Sequence, residues 1–171
     1  MKSIVISIKP KWVAKILNGE KTLEIRKSFP KCELPCEVYI YCTKDKKELR
    51  LFDKEICEQF KVDRARVYSL EQQKYYTALI GRKSVPCNGK VVAKFTLNKV
   101  DEIENDRLWE IDNDFLERAC LSFGELACYL SSKTGYAWRI DKLVPFDRPK
   151  ELADYGVKYS PQSYCYCEVD E

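Results

Sequence analysis

Residues 19 to 27, Gly-Glu-Lys-Thr-Leu-Glu-Ile-Arg-Lys, constrain the fold more than any other stretch of the chain, because they carry a helix directly into a strand. Upstream, Pro10 suits the first turn of a helix. Trp12, Val13, Ile16 and Leu17 then form an apolar stripe at helical spacing, and Gly19 supplies the left-handed residue that ends it. Downstream, alternation along Thr22 to Lys27 places Leu23 and Ile25 on a core face and Thr22, Glu24 and Arg26 together on the other. Ser3 to Ile8 alternates too, with Ile4, Ile6 and Ile8 opposite Ser3, Val5 and Ser7, and reads as a half-buried strand whose polar side continues into Lys9. The first 27 residues are therefore predicted to run strand, helix, strand. Lys9, Lys21, Glu24 and Arg26 gather near one end, either as a chemical site or as a plain salt-bridge network, and Trp12 is assigned to the core.

The rest of the chain adds further strands without a regular strand-helix alternation. Glu37 to Cys42 reads as a strand. Residues 43 to 86 open on a charge-dense run, in which Lys44, Lys46, Lys47 and Arg50 can extend a basic surface. They continue through Leu51, Phe52, Ile56, Phe60, Leu70, Tyr75, Tyr76 and Leu79 at helical spacing, so they are expected to form a mostly helical insertion ending at Gly81. Gly89 to Val100 is predicted as one long strand, Asp101 to Glu117 as an acidic loop and helix, and Ser122 to Glu125 as a capping box that opens another helix. Tyr136 to Ile140 and the closing Pro161 to Cys167 complete about six strands, with a short helix over Pro149 to Tyr155. The expected architecture is a single α+β domain, residues 1 to 171, built on a small β-barrel.

Composition limits the chemistry. The chain has no histidine, which removes the usual general base near neutral pH and the commonest metal ligand. Its formal net charge of +3 is small, but the distribution is uneven: residues 1 to 31 hold eight Lys/Arg against two Glu, and residues 101 to 117 hold eight acids against one Arg. Nine cysteines, an odd number with several inside apolar patterns, suit reduced thiols; Cys32, Cys36, Cys165 and Cys167 could form a four-thiolate zinc site only if the chain's two ends meet, and no metal or cofactor is expected. No run of about 18 apolar residues occurs, so a soluble cytoplasmic protein with no membrane partner is expected.

Ser7-Ile-Lys-Pro10 before a short helix, followed by Gly19-x-Lys21-x-x-Glu24-x-Arg26, resembles the signature of the ASCH domain family, within the PUA-like superfamily of small β-barrels. The Tyr136-Ala-Trp138 strand and the closing strand are also similar to family members; residues 43 to 86 lie outside the resemblance. The resemblance implies a cleft beside the barrel that takes RNA or a modified nucleotide, lined by Ser7, Lys9, Lys21, Glu24 and Arg26, with Tyr136 and Trp138 as aromatic rings for a base. The residue chemistry agrees, since Lys21 and Arg26 can meet phosphate and Glu24 can orient Arg26 or accept from a base amino group.

The alternative is a metal-independent hydrolase of RNA or a modified nucleoside, with Lys21 as acid or electrostatic stabiliser and Glu24 as base. Members resembling the bacterial N4-acetylcytidine amidohydrolase place a threonine nucleophile three residues after the lysine, where this chain has Glu24. Thr22 could replace it only from a position displaced by roughly 7 Å along the strand.

Overall fold

A computed structural model describes residues 2–169, apart from the side chains of residues 76–82. The opening unit is as the sequence predicts: β1 (Ser3–Ile8), α1 (Pro10–Leu17) and β2 (Leu23–Arg26), with Gly19 at φ +79° after the helix. β3 (Cys36–Cys42) lies parallel to β1, Ile8 opposite Cys42, and together they form the centre of a five-stranded sheet. Its order is β10-β7-β3-β1-β11, with β7 (Lys90–Leu97), β10 (Asp141–Lys150) and β11 (Tyr164–Cys167) paired antiparallel to their neighbours.

Central placement explains why β1 is buried on both faces instead of half-buried. Ile4, Ile6 and Ile8 join the main core with Val13 and Ile16 of α1, while Val5 packs on the far side with Tyr39, Tyr41, Val91 and Tyr155. A bulge in β7 at Val92, between the pairs Ile40–Ala93 and Tyr41–Val91, turns Val91 to that far side.

A second, three-stranded sheet has the order β2-β9-β8, from β8 (Val100–Ile103) and β9 (Gly135–Arg139). The long strand expected over Gly89 to Val100 is thus two strands, parted at Asn98 and Lys99 and assigned to different sheets. Leu23, Ile25 and Ala137 of this sheet pack against Ala119 at the end of α4 (Asn113–Ala119) and Leu126 and Leu130 of α5 (Phe123–Leu130). Ser122 and Glu125 form the expected capping box of α5. A 3-10 turn over Leu152–Tyr155 stands where a helix from Pro149 was expected, because Pro149 and Lys150 still belong to the edge strand β10, where a missing amide is tolerated.

Residues 43 to 86 depart most from expectation. They contain β4 (Glu48–Phe52), α2 (Lys54–Phe60), β5 (Ala65–Tyr68), α3 (Leu70–Lys83) and β6 (Ser84–Pro86), the strands forming a third sheet in the order β5-β4-β6. Leu49, Leu51 and Ala65 are buried in the main core, and the Asn18 side chain at the end of α1 both donates to and accepts from the Ala65 backbone, at 2.9 and 3.0 Å. The helix α3 runs past Gly81 to Lys83; the side chains of Tyr76 and Leu79 in the predicted stripe lie outside the described residues.

The architecture is α+β, with three sheets. None of them closes among the described residues, so in place of the expected small β-barrel of about six strands the described residues hold eleven strands in open sheets. No helix of the described residues is long and apolar enough to cross a membrane.

Candidate functional site

The C-terminal ends of the parallel pair β1 and β3 lie side by side, the Thr43 amide donating to the Ile8 carbonyl at 2.9 Å. Beyond them is a cavity of about 710 Å³. Ser7 and Lys9 come to it from β1 and the α1 entry, Lys21, Glu24 and Arg26 from the approach to β2 and from the strand itself, and Cys128 and Tyr129 from α5. The segment before β11 adds Pro161 and Gln162, because β11 pairs with β1 and the Ser7 amide donates to Ser163 O at 2.9 Å.

Five of the seven expected binding residues therefore line one cavity: Ser7, Lys9, Lys21, Glu24 and Arg26. The charged row is tightly connected. Arg26 Nε donates to Glu24 Oε1 at 2.9 Å, one of its terminal nitrogens donates to the Ser7 carbonyl at 2.6 Å, and the other faces Ser163 Oγ at 3.5 Å. Lys21 Nζ lies 3.4 Å from Glu24 Oε2 and 5.2 Å from the Trp12 ring centroid.

It also donates at 2.7 Å to the carbonyl of Ala119, the last residue of α4, where helix carbonyls lack intrahelical partners and the dipole favours a cation. Lys21 is only 3% exposed and Glu24 6%. Burial lowers the Lys21 pKa from its ordinary 10.5, and the Glu24 carboxylate opposes that shift.

Tyr136 and Trp138 are corrections. Cross-strand pairing puts Trp138 opposite Glu24 and Tyr136 opposite Arg26, so they share the face of the charged row, one strand further from the cavity. Trp138 is fully buried in the main core, donates Nε1–H to Ser28 O at 3.2 Å and packs edge-on against Tyr164; no face is free for a base. Tyr136 packs on Phe29 with ring centroids 4.8 Å apart and does not line the cavity.

The aromatic rings that do line it are Trp12, half-buried instead of fully in the core, and Tyr129 on α5. Trp12 was legible only as part of a helical stripe, and Tyr129 carried no local signal. Thr22 does not join Glu24 and Arg26 at the cavity: its hydroxyl accepts from Arg118 Nε at 3.2 Å, on the α4 side.

The cysteines form no compact ligand set. Cys32 and Cys36 are in thiol contact at 3.4 Å, and among the described residues no three Cys, Asp or Glu are grouped to hold a metal ion.

No family model and no curated protein matches the chain. Among solved structures it is similar to an ASCH protein of Zymomonas mobilis, with a TM-score of 0.60 and 18% identity over 96% of this chain and 86% of the other. Two single-residue variants of that protein match alike: one at TM-score 0.61 and 18% identity over 97% of this chain and 90% of the other, the second at 0.60 and 18% over 96% and 87%. A shared fold at that level of identity, joined to the Gly19-x-Lys21-x-x-Glu24-x-Arg26 motif, makes this an ASCH-domain fold.

Proposed function

We propose that the protein binds RNA or a modified nucleotide, receiving one nucleotide in the cavity beyond β1 and β3. The observation that carries this reading is the row of buried Lys21 and Glu24 and half-buried Arg26 set into the wall of a cavity that also presents the rings of Trp12 and Tyr129. Its volume, about 710 Å³, lies in the range of small-molecule sites. Trp12 and Tyr129 supply rings for a base, with the Lys27 ammonium 5.1 Å from the Tyr129 centroid and those of Lys11 and Lys21 4.5 and 5.2 Å from that of Trp12, and base binding by aromatics is tolerant of sequence. Lys9 is exposed and belongs to no ion pair among the described residues, which suits it to a phosphate. Glu24 keeps acceptor capacity beyond its bonds to Arg26 and Lys21, enough for a base amino group.

A hydrolytic reading is favoured by one observation, the lowered pKa of Lys21 beside Glu24, which brings the lysine closer to a useful acid or base. Titrating the protein with RNAs and modified nucleosides, while measuring both retention and product, separates the two readings. The binding reading predicts retention without product, and Glu24→Gln leaves retention nearly unchanged. Product formation that falls by about two to four orders of magnitude in Glu24→Gln would establish the hydrolase instead. No retention of any of these molecules would contradict both.

A further inference from the structure

A second cavity of about 610 Å³ lies across α1 from the first. Helical geometry divides α1 between them: Trp12 lines the first, while Lys11, Ala14, Lys15 and Asn18, spaced three and four residues apart, line the second. The segment after β3 behaves in the same way, with Thr43 in the first cavity and Lys47 in the second. Two successive stretches of chain thus wall both cavities, and the ground between them is one helix wide, roughly 10 Å.

That ground carries unpaired lysines. Lys9 at the first cavity and Lys11 and Lys47 at the second are exposed, and none is in an ion pair among the described residues. Lys11 Nζ sits 4.5 Å from the Trp12 ring centroid and so stands at the divide. Acids offset part of this charge. Glu20 is paired with Lys15 at 3.0 Å, Asp45, which accepts from the Lys47 backbone amide at 3.0 Å, and Glu71 keep their negative charge, and Glu125 of the first cavity lies within electrostatic reach of Lys11; the second cavity's three lysines outnumber its two glutamates by one. Polar neutral groups complete the second cavity, among them Asn18, Ser69 and Gln72.

We infer that the ligand is a single-stranded polynucleotide that occupies both cavities, one nucleotide in the first and the phosphodiester backbone crossing α1 past Lys11 to reach Lys47 in the second. A mononucleotide fills only the first cavity. The second has three lysines against two glutamates, one of them paired with Lys15, together with neutral polar groups and, among its lining residues, no aromatic ring, so it holds backbone at Lys11 and Lys47 and carries no base preference. This inference rests on the nucleotide reading of the first cavity.

The test compares ribonucleoside 5′-monophosphates with a mixed-sequence oligoribonucleotide of about six nucleotides, on the parent protein and on a Lys11→Ala/Lys47→Ala double variant whose melting is checked first. The parent should bind the oligonucleotide more tightly than any monophosphate. In the double variant oligonucleotide affinity should fall about ten-fold, and the slope of log affinity against log salt should lose about 1.4, since each single-strand phosphate contact contributes about 0.7. In the single variant Lys47→Ala, monophosphate binding should not change.

Equal parent affinity for both lengths, or an unaltered salt slope in the double variant, would overturn the two-cavity track while leaving the nucleotide reading intact. Failure of the parent to bind either probe would overturn both. Tight binding of an oligoglutamate of matching length in place of the oligonucleotide would also overturn the proposal, since it would mark the track as a peptide site.

Discussion

Lys21 is a cation held where water hardly reaches it, and that fact governs which substitutions can probe the site. The ammonium is shared between the Ala119 carbonyl and Glu24, so Lys21→Ala leaves the end of α4 without its donor and removes half of the carboxylate's compensation. A loss of about 3 kcal/mol of folding stability is expected. Lys21→Met keeps the stem and should cost less, and its comparison with the parent isolates the titration. Because burial lowers the folded-state pKa below 10.5, the unfolded chain binds this proton more tightly than the folded one just below pH 10.5. The parent's unfolding free energy relative to Lys21→Met should therefore rise as pH increases from neutrality towards 10.5, as the penalty of burying the charged form is relieved. Urea titrations of both proteins across that range check it; a difference that stays flat or falls would show that Lys21 is not the desolvated cation described.

At the scale of elements, the 43–86 segment is a structural partner of α1 rather than an appendage. Leu49, Leu51 and Ala65 complete the main core, and Asn18 is fixed to Ala65 through both of its amide atoms. Leu49→Ala should cost about 2 to 5 kcal/mol, the range for a fully buried leucine, and excision of 43–86 should abolish cooperative unfolding by exposing the α1 face that β4 and β5 cover. Retention of a sharp urea transition after excision would contradict this.

The segment's strands are hard to read because Glu48–Phe52 and Ala65–Tyr68 are short and give alternation little length over which to show. Leu49 and Leu51 do alternate, but Leu51, Phe52, Ile56 and Phe60 also fit a helical period, and tertiary packing on α1 decided between them. The elements with local punctuation were legible: Pro10 and Gly19 bound α1, and Ser122 with Glu125 opens α5.

At the scale of the whole molecule, the candidate site is assembled from segments separated by as much as 154 residues, as in the 2.6 Å bond from Ser7 Oγ to Pro161 O. The motif residues could be read from one stretch because β2 and the approach to α1 are adjacent in sequence. Pro161, Gln162 and Tyr129 could not, since they arrive only through the pairing of β11 with β1 and the docking of α5 beside β2. The same long-range pairing explains why Tyr136 and Trp138 were misplaced: alternation puts them on the face of Arg26 and Glu24, but Phe29 and Tyr164 close over that side.

The most direct measurement of the central claim is photo-crosslinking of short RNA containing 4-thiouridine to the parent protein, with the attachment sites mapped by mass spectrometry. Crosslinks concentrated at Trp12, Cys128 and Tyr129 are predicted. Crosslinks confined to Trp109 and Tyr159, 76% and 84% exposed and outside the cavity lining, would show contact with accessible aromatics and contradict a nucleotide seated beyond β1 and β3.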